Sequence, residues 1–456
     1  MRRVVKVSRI RIIITIIVVV LTTLLTGCTG KEPNEIAYVV ALGIDSTDDG
    51  NYKITIQYAN TTQISGGASE SGGKAGSEIV DNVTIEAPNI YAGVGLANNI
   101  VSKSFSMSHA KLIVFSKEIA EKGVKDMIET LVRSEEIRPD VFIAVANTTA
   151  NDYLTSVNPE MEVNPAQYYQ LIYQKNQLVG IPDGQLREFF TGLYTDNYDS
   201  ILPVSGVIEG ACGNSQNDDK GQSKDGQNEG SEESSESLDS FESKSSDDKD
   251  ENEKEKDAEK NTSKYEYDIK NYVGGETAIE KKNKAEAIGA AVFEKDKMVG
   301  ELGEVETEIC KILKGDYTYS YLTYYNNDTP DIPITVKTTQ QKKPKYKIDT
   351  DKKTVDIELY IESDLYSLPA DYNVENKIED FERNVANYTS STCTEFINNF
   401  TKKYNSDILK LNEKVKYKFL TNNQYNWFKK NVGWSEYKFS VCTNFKVRRT
   451  GLIVRE

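Results

Sequence analysis

Residues 109–133 read HAKLIVFSKEIAEKGVKDMIETLVR, and this stretch decides the predicted fold class. Its first seven residues, 109–115, form a short, largely apolar run that predicts a strand. Ser116 then suits the N-cap of a helix, with Glu118 in the first turn, and apolar residues recur at helical spacing through 116–133. A strand that leads into an amphipathic helix predicts a β/α arrangement.

The same alternation extends on both sides of this stretch. Residues 36–44 are almost continuously apolar, which is typical of a strand buried on both faces, and residues 52–58 alternate as the second strand of a hairpin. Further strands are predicted at 83–85, 141–145 and 201–208, and further helices at 89–103, 165–177 and 185–194. We therefore predict an N-terminal domain at 35–212 that contains two subdomains.

Composition changes sharply at 213–264. This segment is rich in serine and holds 17 acidic and 8 basic residues, with very few apolar ones. So little apolar surface cannot offset the entropy of ordering the backbone, about 1–2 kcal/mol per residue, and we predict a disordered acidic linker. Calcium binding is the alternative, but the segment has no EF-hand spacing.

A C-terminal domain is predicted at 265–456. Its strands are predicted at 285–293, 298–302, 317–324, 332–338, 346–349, 354–362 and 437–447. A short helix is predicted at 304–313, and residues 373–404 are predicted to form one long amphipathic helix with Asn373 as its N-cap. The apolar stripe of that helix is predicted to consist of Val374, Ile378, Phe381, Val385, Tyr388, Thr392, Phe396, Phe400 and Tyr404. The complete pattern predicts a multi-domain α+β fold, with mixed β-sheets, helices packed on them and one long amphipathic helix in the C-terminal domain.

The N-terminus has the form of an export signal. Five basic residues precede a 14-residue apolar run at 12–25, which as a helix would measure about 21 Å, shorter than a hydrocarbon core of about 30 Å. Leu25-Thr26-Gly27-Cys28 then resembles a bacterial lipobox, in which the cysteine thiol receives a diacylglyceryl group and becomes the mature N-terminus. We predict a signal peptide at 1–27, lipid attachment at Cys28 and a tether at 28–34. The alternative is an uncleaved anchor with an incidental cysteine.

Charge and composition restrict the partners. The formal charge is −16, and loss of the five basic residues of the signal leaves about −21, which disfavours binding to nucleic acid and to anionic lipid headgroups. No second apolar stretch near 18 residues follows Cys28, so the rest of the chain is predicted to sit outside the membrane, held by its acyl chains. With one histidine and no CxxC pair, no metal or cofactor is predicted. Disulfides and buried free thiols both remain open for Cys212, Cys310, Cys393 and Cys442.

Several of these motifs together resemble the Ger(x)C family of spore-germination lipoproteins. The resembling blocks are the motif at 25–28, the strand ending Gly43-Ile44-Asp45, Ser108-His109 before the strand at 111–114, Val299-Gly300 with Leu302, and Glu306-Thr307. The sequence departs from the family pattern at Thr29-Gly30, where the family often has Trp-Asp, and at Glu308-Ile309, where Arg-Gly is common.

This resemblance implies the C subunit of a nutrient germinant receptor. Such a subunit is non-enzymatic and is lipid-anchored through Cys28 on the outer face of the cytoplasmic membrane, which in the spore is the inner membrane. It works beside two integral membrane partners, the A and B subunits. The germinant and the partner-binding surface do not follow from the sequence.

Two other functions compete with this interpretation. Glu304, Glu306 and Glu308 suggest a cell-wall glycan hydrolase, but alternate positions on a helix do not face each other, so no carboxylate pair and no catalytic residue is predicted. A solute-binding lipoprotein of a transporter is the second rival. His109 is interpreted as a structural group. The tyrosines at 168–173 and 317–325 are weak candidates for a partner surface, and half-buried helix and sheet faces are the favoured interpretation of them.

Overall fold

Two β-sheets with helices packed on them organise the protein in the computed structural model. The structure describes residues 13–18, 35–59, 80–158, 162, 164–174, 180–195, 197–208, 271–277, 283–326, 329–367 and 377–450. Most of the predicted signal peptide, Cys28, the tether, Cys212 and the predicted linker at 213–264 lie outside these residues. The predicted α+β class, with mixed sheets and one long C-terminal helix, is confirmed. No described helix is long and apolar enough to cross a bilayer.

The first sheet contains nine strands within the described residues. They are β1 (Ile36–Ser46), β2 (Tyr52–Ala59), β3 (Val80–Ala87), β4 (Ser104–Ser106), β5 (Leu112–Ser116), β6 (Phe142–Ala146), β7 (Ile201–Val207), β8 (Ala285–Glu294) and β9 (Lys297–Leu302). The order is β3-β2-β1-β5-β6-β7-β8-β9, with β4 beside the start of β1. The four central strands β1, β5, β6 and β7 are parallel, as is the short β4 beside β1, whereas β2, β3, β8 and β9 pair antiparallel. Parallel strands are covered on both faces, which explains their continuous apolar runs.

The first sheet contains strands from both sides of the acidic segment. β8 and β9, predicted within the C-terminal domain, extend the sheet of the N-terminal part because β8 pairs with β7, in a register that places Ile201 opposite Val292. The described residues of 1–211 and 270–456 therefore belong to one compact unit. The domain boundaries at 35–212 and 265–456 stay a prediction.

A crossing of glycine backbones holds the two chain segments that flank the acidic segment. A Cβ on Gly206, in β7, would lie well inside van der Waals contact with the backbone of Gly274. The amide of Gly274 donates to the Ile288 carbonyl at 2.9 Å, and the amide of Ile208 donates to the Lys284 carbonyl at 2.8 Å. The chain before residue 209 and the chain after residue 270 are thus fixed side by side.

Helices cover both faces of the first sheet. They are α1 (Ile90–Ala97), α2 (Lys117–Lys122), α3 (Lys125–Val132), α4 (Ala150–Ser156), α5 (Pro165–Gln174) and α6 (Leu186–Thr195). Ser116 caps α2, as predicted, by accepting the amide of Ile119 at 3.4 Å. The prediction of a single helix over 116–133 is wrong, because Gly123 has φ +124° and the next amide, of Val124, donates to the Asp296 carbonyl instead of continuing the helix. The helix predicted at 89–103 ends early for a similar reason, since Asn98 accepts the amide of Phe105 and turns the chain into β4.

Helix α4 is held by the end of β1 and was not predicted. Asp45 accepts the amides of Ala150 and Asn151 at 2.7 and 3.0 Å, which satisfies the first turn of α4. Gly43 lets the helix approach closely, because a Cβ there would lie 3.0 Å from Leu154 Cδ1 and 3.1 Å from Ala150 Cβ. The Gly43-Ile44-Asp45 motif is therefore a docking site for a helix more than 100 residues further along the chain.

The second sheet contains five strands within the described residues. They are β10 (Tyr319–Asn326), β11 (Thr329–Gln340), β12 (Lys345–Asp349), β13 (Thr354–Ser367) and β14 (Lys438–Arg449). The helices of this part are α7 (Glu304–Lys314), α8 (Ile378–Tyr404), α9 (Leu411–Val415) and α10 (Asn422–Asn431). β13 lies at the centre, antiparallel to β11 and β12 on one side and parallel to β14 on the other.

The long helix α8 packs along β14 with both apolar and polar side chains. The buried positions at the centre of the helix are Phe381, Val385, Thr389, Cys393 and Ile397. The predicted stripe is therefore wrong in its middle part: Tyr388 is 43% exposed, and burial falls one residue further along, at Thr389 and Cys393. Helix α8 begins at Ile378, and the predicted Asn373 cap and Val374 lie outside the described residues.

Polar side chains of α8 bind the backbone of β14 directly. Asn398 donates to the Phe439 carbonyl at 2.9 Å and accepts the Phe439 amide at 3.1 Å. The further bonds run from the amides of Val441, Thr443 and Val447 to Thr394 Oγ1, Ser390 Oγ and Glu382 Oε1, at 3.0, 2.9 and 2.9 Å. These bonds explain why polar residues occupy a face of the helix that lies against the sheet.

Candidate functional site

Residues just before β7 meet the segment between α8 and α9 in a polar junction. We define this junction by Glu188, Tyr198, Asp199, Asp407 and Lys410. The amide of Asp199 donates to the Asp407 carbonyl at 3.2 Å, and the amide of Asp407 donates to Asp199 Oδ2 at 2.8 Å. This reciprocal pair of bonds joins residues 208 positions apart in the sequence.

Asp407 is the most deeply buried charged group of the junction. Its two carboxylate oxygens accept the amides of Leu411 and Asn412 at 2.7 and 2.8 Å, and so satisfy the start of α9. Burial raises the pKa of Asp407 to about 7, and the two amide bonds only partly oppose that rise. The carboxyl group therefore changes its proton occupancy close to neutral pH.

Glu188 and Lys410 form the second part of the junction. Lys410 Nζ lies 3.1 Å from Glu188 Oε2 and 4.2 Å from the centre of the Tyr198 ring. The hydroxyl of Tyr198 donates to the Glu188 carbonyl at 2.9 Å. Burial opposes ionisation of Glu188, but the hydrogen bond and the charge of Lys410 outweigh it and lower the pKa of this carboxyl group. These charges satisfy one another within the junction.

Two cavities open beside the junction and share Tyr198 and Asp199. The first, of about 430 Å³, is lined by charged residues of both signs, namely Asp183, Glu188, Asp316, Lys314 and Lys410. The second, of about 600 Å³, is lined mainly by polar residues, with Tyr198 and Asp199 from the first part of the chain and Asn405 and Asn412 from the second. A cavity with acidic and basic groups suits a small zwitterionic solute better than an apolar one. Among the described residues, no group of three or more His, Cys, Asp or Glu side chains is arranged to hold a metal ion.

The three glutamates at the start of α7 lie in three different surroundings. Glu306 accepts the amide of Gly303 at 3.1 Å and the side-chain amide of Asn271 at 2.9 Å, which is a helix-capping role. Glu308 faces Tyr317 and Ser320, and burial raises its pKa to about 7. Burial, aided by the charge of Glu286, raises the pKa of Glu304. Glu304 and Glu308 lie four residues apart on the same face of α7, and the charge of Glu304 also raises the pKa of Glu308, so the sequence argument from alternate positions does not apply to these two.

The raised pKa values of Asp407 and Glu308 predict how the free energy of unfolding depends on pH. Each has a folded pKa near 7, above its ordinary value near 4, so the folded state binds more protons than the unfolded state between these limits. The free energy of unfolding is therefore expected to fall as pH rises from about 4 to 7, by up to about 1.4 kcal/mol per pH unit for each group.

Urea unfolding at pH 5, 6, 7 and 8 measures this dependence. Glutamine is neutral at every pH, so Glu308→Gln is expected to reduce the slope of the unfolding free energy against pH by up to the contribution of one proton. Glu121→Gln, at an exposed position of α2, is the matched control and is expected to leave the slope unchanged. An unaltered slope in Glu308→Gln would contradict the assignment.

Other residues singled out in the sequence have surroundings that limit their roles. His109 is exposed, and its ring packs edge-on against Tyr38 with the ring centres 4.9 Å apart. Cys310 and Cys393 are buried and free, whereas Cys442 is exposed and free. Burial raises the pKa of the Cys393 thiol to about 12, which keeps it protonated and inert.

The tyrosines of α5 are buried and do not form a partner surface. Tyr169 and Tyr173 lie in a network of buried hydrogen bonds: the Tyr173 hydroxyl is 2.9 Å from the Tyr153 hydroxyl and 2.6 Å from Ser205 Oγ. Tyr317 is buried as well, but Tyr321 on β10 is 54% exposed. The favoured interpretation of 168–173 as a helix face is therefore closer to the structure than a partner surface, and burial goes further than expected, because these side chains fill the space between α5 and the sheet.

Comparison with known families matches the parts of the chain on both sides of residues 213–264. Residues 30–207 match the model described as the spore germination protein N-terminal domain. Residues 288–451 match the model described as the spore germination B3/GerAC-like C-terminal domain. The two models together cover about three quarters of the chain, in the expected order. The chain belongs to the GerAC family of spore germination proteins.

Curated GerAC-type proteins and a solved structure are similar to this chain. Spore germination protein KC of Bacillus subtilis is 26% identical over 174 residues, which are 35% of this chain and 42% of that protein. Spore germination protein GerQC of Bacillus cereus is 24% identical over 196 residues, 41% of this chain and 50% of that protein. The matched stretch thus spans half or less of each relative. A structure named "Crystal Structure of the GerBC protein" aligns over 89% of this chain and 96% of its own, with a TM-score of 0.47 and 15% identity.

The boundary between the two GerAC matches falls at β7 and β8, the strands that join the two parts of the chain in the first sheet. The N-terminal match ends at Val207, the last residue of β7, and the C-terminal match begins at Ile288, inside β8. The polar junction also draws on both matches, since Asp199 belongs to the first and Asp407 to the second. In this GerAC chain the two family domains are therefore joined by strand pairing and by the junction.

Proposed function

We propose that this protein is the lipid-anchored C subunit of a spore nutrient germinant receptor, acting without catalysis beside integral membrane A and B subunits. The observation that supports this most is the presence of both GerAC domains in one chain, in order. A subunit that braces its neighbours needs a rigid body, and the strand pairing across β7 and β8 supplies one.

The proposed anchor is Cys28, modified after removal of residues 1–27. The lipobox-like motif at 25–28 and the basic, apolar segment before it support this site. Two acyl chains are enough for stable attachment, which a single chain does not give. The proposed location is the outer face of the cytoplasmic membrane, which is the inner membrane of the spore, with residues 28–34 as a tether.

Two alternatives receive different support from the structure. The cavity of about 430 Å³ with charges of both signs favours a solute-binding lipoprotein. Against this, Lys410 already pairs with Glu188 across the cavity wall. A glycan hydrolase would need Glu304 and Glu308 as its carboxylate pair, but neither residue lines either of the two cavities beside the junction.

The proposed receptor function is tested with spores that lack the chain. They are expected to lose the response to at least one nutrient, measured as dipicolinate release, and the wild-type chain is expected to restore it. A chain in which residues 213–264 are deleted is expected to restore it equally well. The reason is that the flanking segments already lie side by side at Gly206 and Gly274, so a short connection can replace the linker.

The outcomes separate the proposed functions. Spores that lack the chain and still respond normally to every nutrient would overturn the receptor function and leave solute uptake to be measured. A deletion chain that reaches wild-type abundance and yet restores nothing would overturn the passive role of residues 213–264 alone.

A further inference from the structure

Three large apolar side chains project into solvent from the segment at 416–430. Tyr417 is 81% exposed, Leu420 is 95% exposed and Trp427 is 69% exposed. We call residues 416–430 the apical surface. A cluster of exposed apolar side chains in a folded domain points to a contact with another molecule or a membrane.

The apical surface is held rigidly from beneath. Thr421 Oγ1 accepts the amide of Gln424 at 3.3 Å and so caps α10. Phe419 packs against Phe428 with ring centres 4.9 Å apart, and buried Tyr425 donates its hydroxyl to the Asn412 carbonyl at 3.1 Å. Leu420 and Trp427 are therefore exposed on a segment whose backbone is fixed by these contacts.

The charge around this surface is opposite to that of the whole chain. Residues 414–435 contain five lysines and no acidic residue, although the full chain carries −16. Lys416, Lys418 and Lys430 are exposed beside the apolar side chains. Lysines around exposed tryptophan, tyrosine and leucine are typical of surfaces that lie in the headgroup region of an anionic bilayer.

Sheet topology places the apical surface at the edge where the tether enters. Because β1 and β7 run parallel, both strands begin at the same edge of the sheet; the register places Ile201 level with Ala41, so that Ile36 lies about 16 Å further out at this edge. Asn197, just before β7, holds α10: its Oδ1 lies 3.0 Å from Lys429 Nζ and 3.2 Å from the Tyr425 hydroxyl. β1 and β7 are three strand spacings apart, about 14 Å.

The length of the tether restricts orientation further. The seven residues between Cys28 and Ile36 span at most about 25 Å when fully extended. A chain anchored at Cys28 therefore keeps this edge of the sheet close to the bilayer. The same edge carries the lysine-rich, apolar apical surface.

We propose that the apical surface inserts Tyr417, Leu420 and Trp427 into the headgroup region of an anionic bilayer, and so fixes the orientation of the anchored protein. This inference rests on the proposed anchoring at Cys28. The lysines draw the surface to anionic headgroups, and the three side chains bury apolar area that the fold leaves in water.

The two tryptophans of the chain provide the test. Trp427 is exposed, whereas Trp434 is 2% exposed, so Trp427→Phe leaves a reference signal from the core. The full-length acylated chain is reconstituted into phosphatidylglycerol–phosphatidylcholine vesicles, with and without bromine-labelled acyl chains. Quenching of the wild-type emission by at least one third is expected, with little quenching of Trp427→Phe. The triple variant Lys416→Gln/Lys418→Gln/Lys430→Gln is expected to be quenched at most half as much as the wild type.

Flotation of the same vesicles separates the two proposals. A chain that floats with the vesicles but shows no more quenching than Trp427→Phe keeps its anchor and overturns the apical insertion. A chain that does not float overturns the anchoring together with the orientation that depends on it. Protection of Trp427 in spore membranes but not in lipid vesicles would assign the surface to a protein partner and also overturn insertion into lipid.

Discussion

Spores whose only copy of this protein carries Cys28→Ala are expected to lose the nutrient response that the wild-type chain supports. Without the thiol, no diacylglyceryl group is attached, and the apical surface alone buries too little apolar area to hold a chain of about −21 at an anionic membrane. Dipicolinate release after nutrient addition is expected to fall at least tenfold. The abundance of the chain in the inner-membrane fraction is expected to fall with it.

A second cysteine supplies the matched control for this experiment. Cys442 on β14 is exposed and free, so Cys442→Ala removes an exposed thiol without touching the proposed anchor. Its spores are expected to respond like the wild type. A normal response of the Cys28→Ala spores to every nutrient would contradict the requirement for an anchor.

Gly206→Ala is expected to lower the free energy of unfolding by about 3 kcal/mol or more. The added methyl group would overlap the carbonyl group of Gly274, and both backbones are fixed by their own hydrogen bonds, so neither segment moves away cheaply. Because this crossing joins β7 to the chain that returns after residue 270, the damage is expected to reach both parts of the protein. Urea unfolding followed by circular dichroism measures the loss.

A glycine in an open position provides the comparison. Gly95 lies on the exposed side of α1, and a Cβ there would meet nothing within 4 Å. Gly95→Ala is expected to stabilise the protein by about 0.5–1 kcal/mol, since alanine loses less backbone entropy than glycine in a helix. Equal changes in the two variants would show that the Gly206 crossing does not restrict the backbone.

Local patterns predicted most of the elements because their causes lie within a few residues. Alternation identified the β1–β2 hairpin, and the helix at 304–313 was found within one residue of its observed end. Helix α4 was missed because it has only seven residues, and the carboxylate that satisfies its first turn, Asp45, is 105 residues away. No local pattern contains a bond of that separation.

The features that could not be predicted from the sequence depend on pairing between distant residues. The strands at 285–302 were recognised as strands, but nothing near them indicates that β8 pairs with β7 across the acidic segment. The polar junction was missed for the same reason, since Asp199 and Asp407 carry no shared motif. In α8 the apolar spacing predicts that Tyr388 is buried, which is wrong. The helix faces β14 partly through Ser390, Thr394 and Asn398, so its buried face is not purely apolar.

The bonds from α8 to β14 also determine where another chain can join this protein. β14 lies at the margin of the second sheet, where free amides would otherwise accept a strand from a neighbouring molecule. Side chains of α8 already occupy the amides of Phe439, Val441, Thr443 and Val447. Strand addition by a partner is therefore blocked at these four amides, and so is edge-to-edge aggregation with a second copy of the chain.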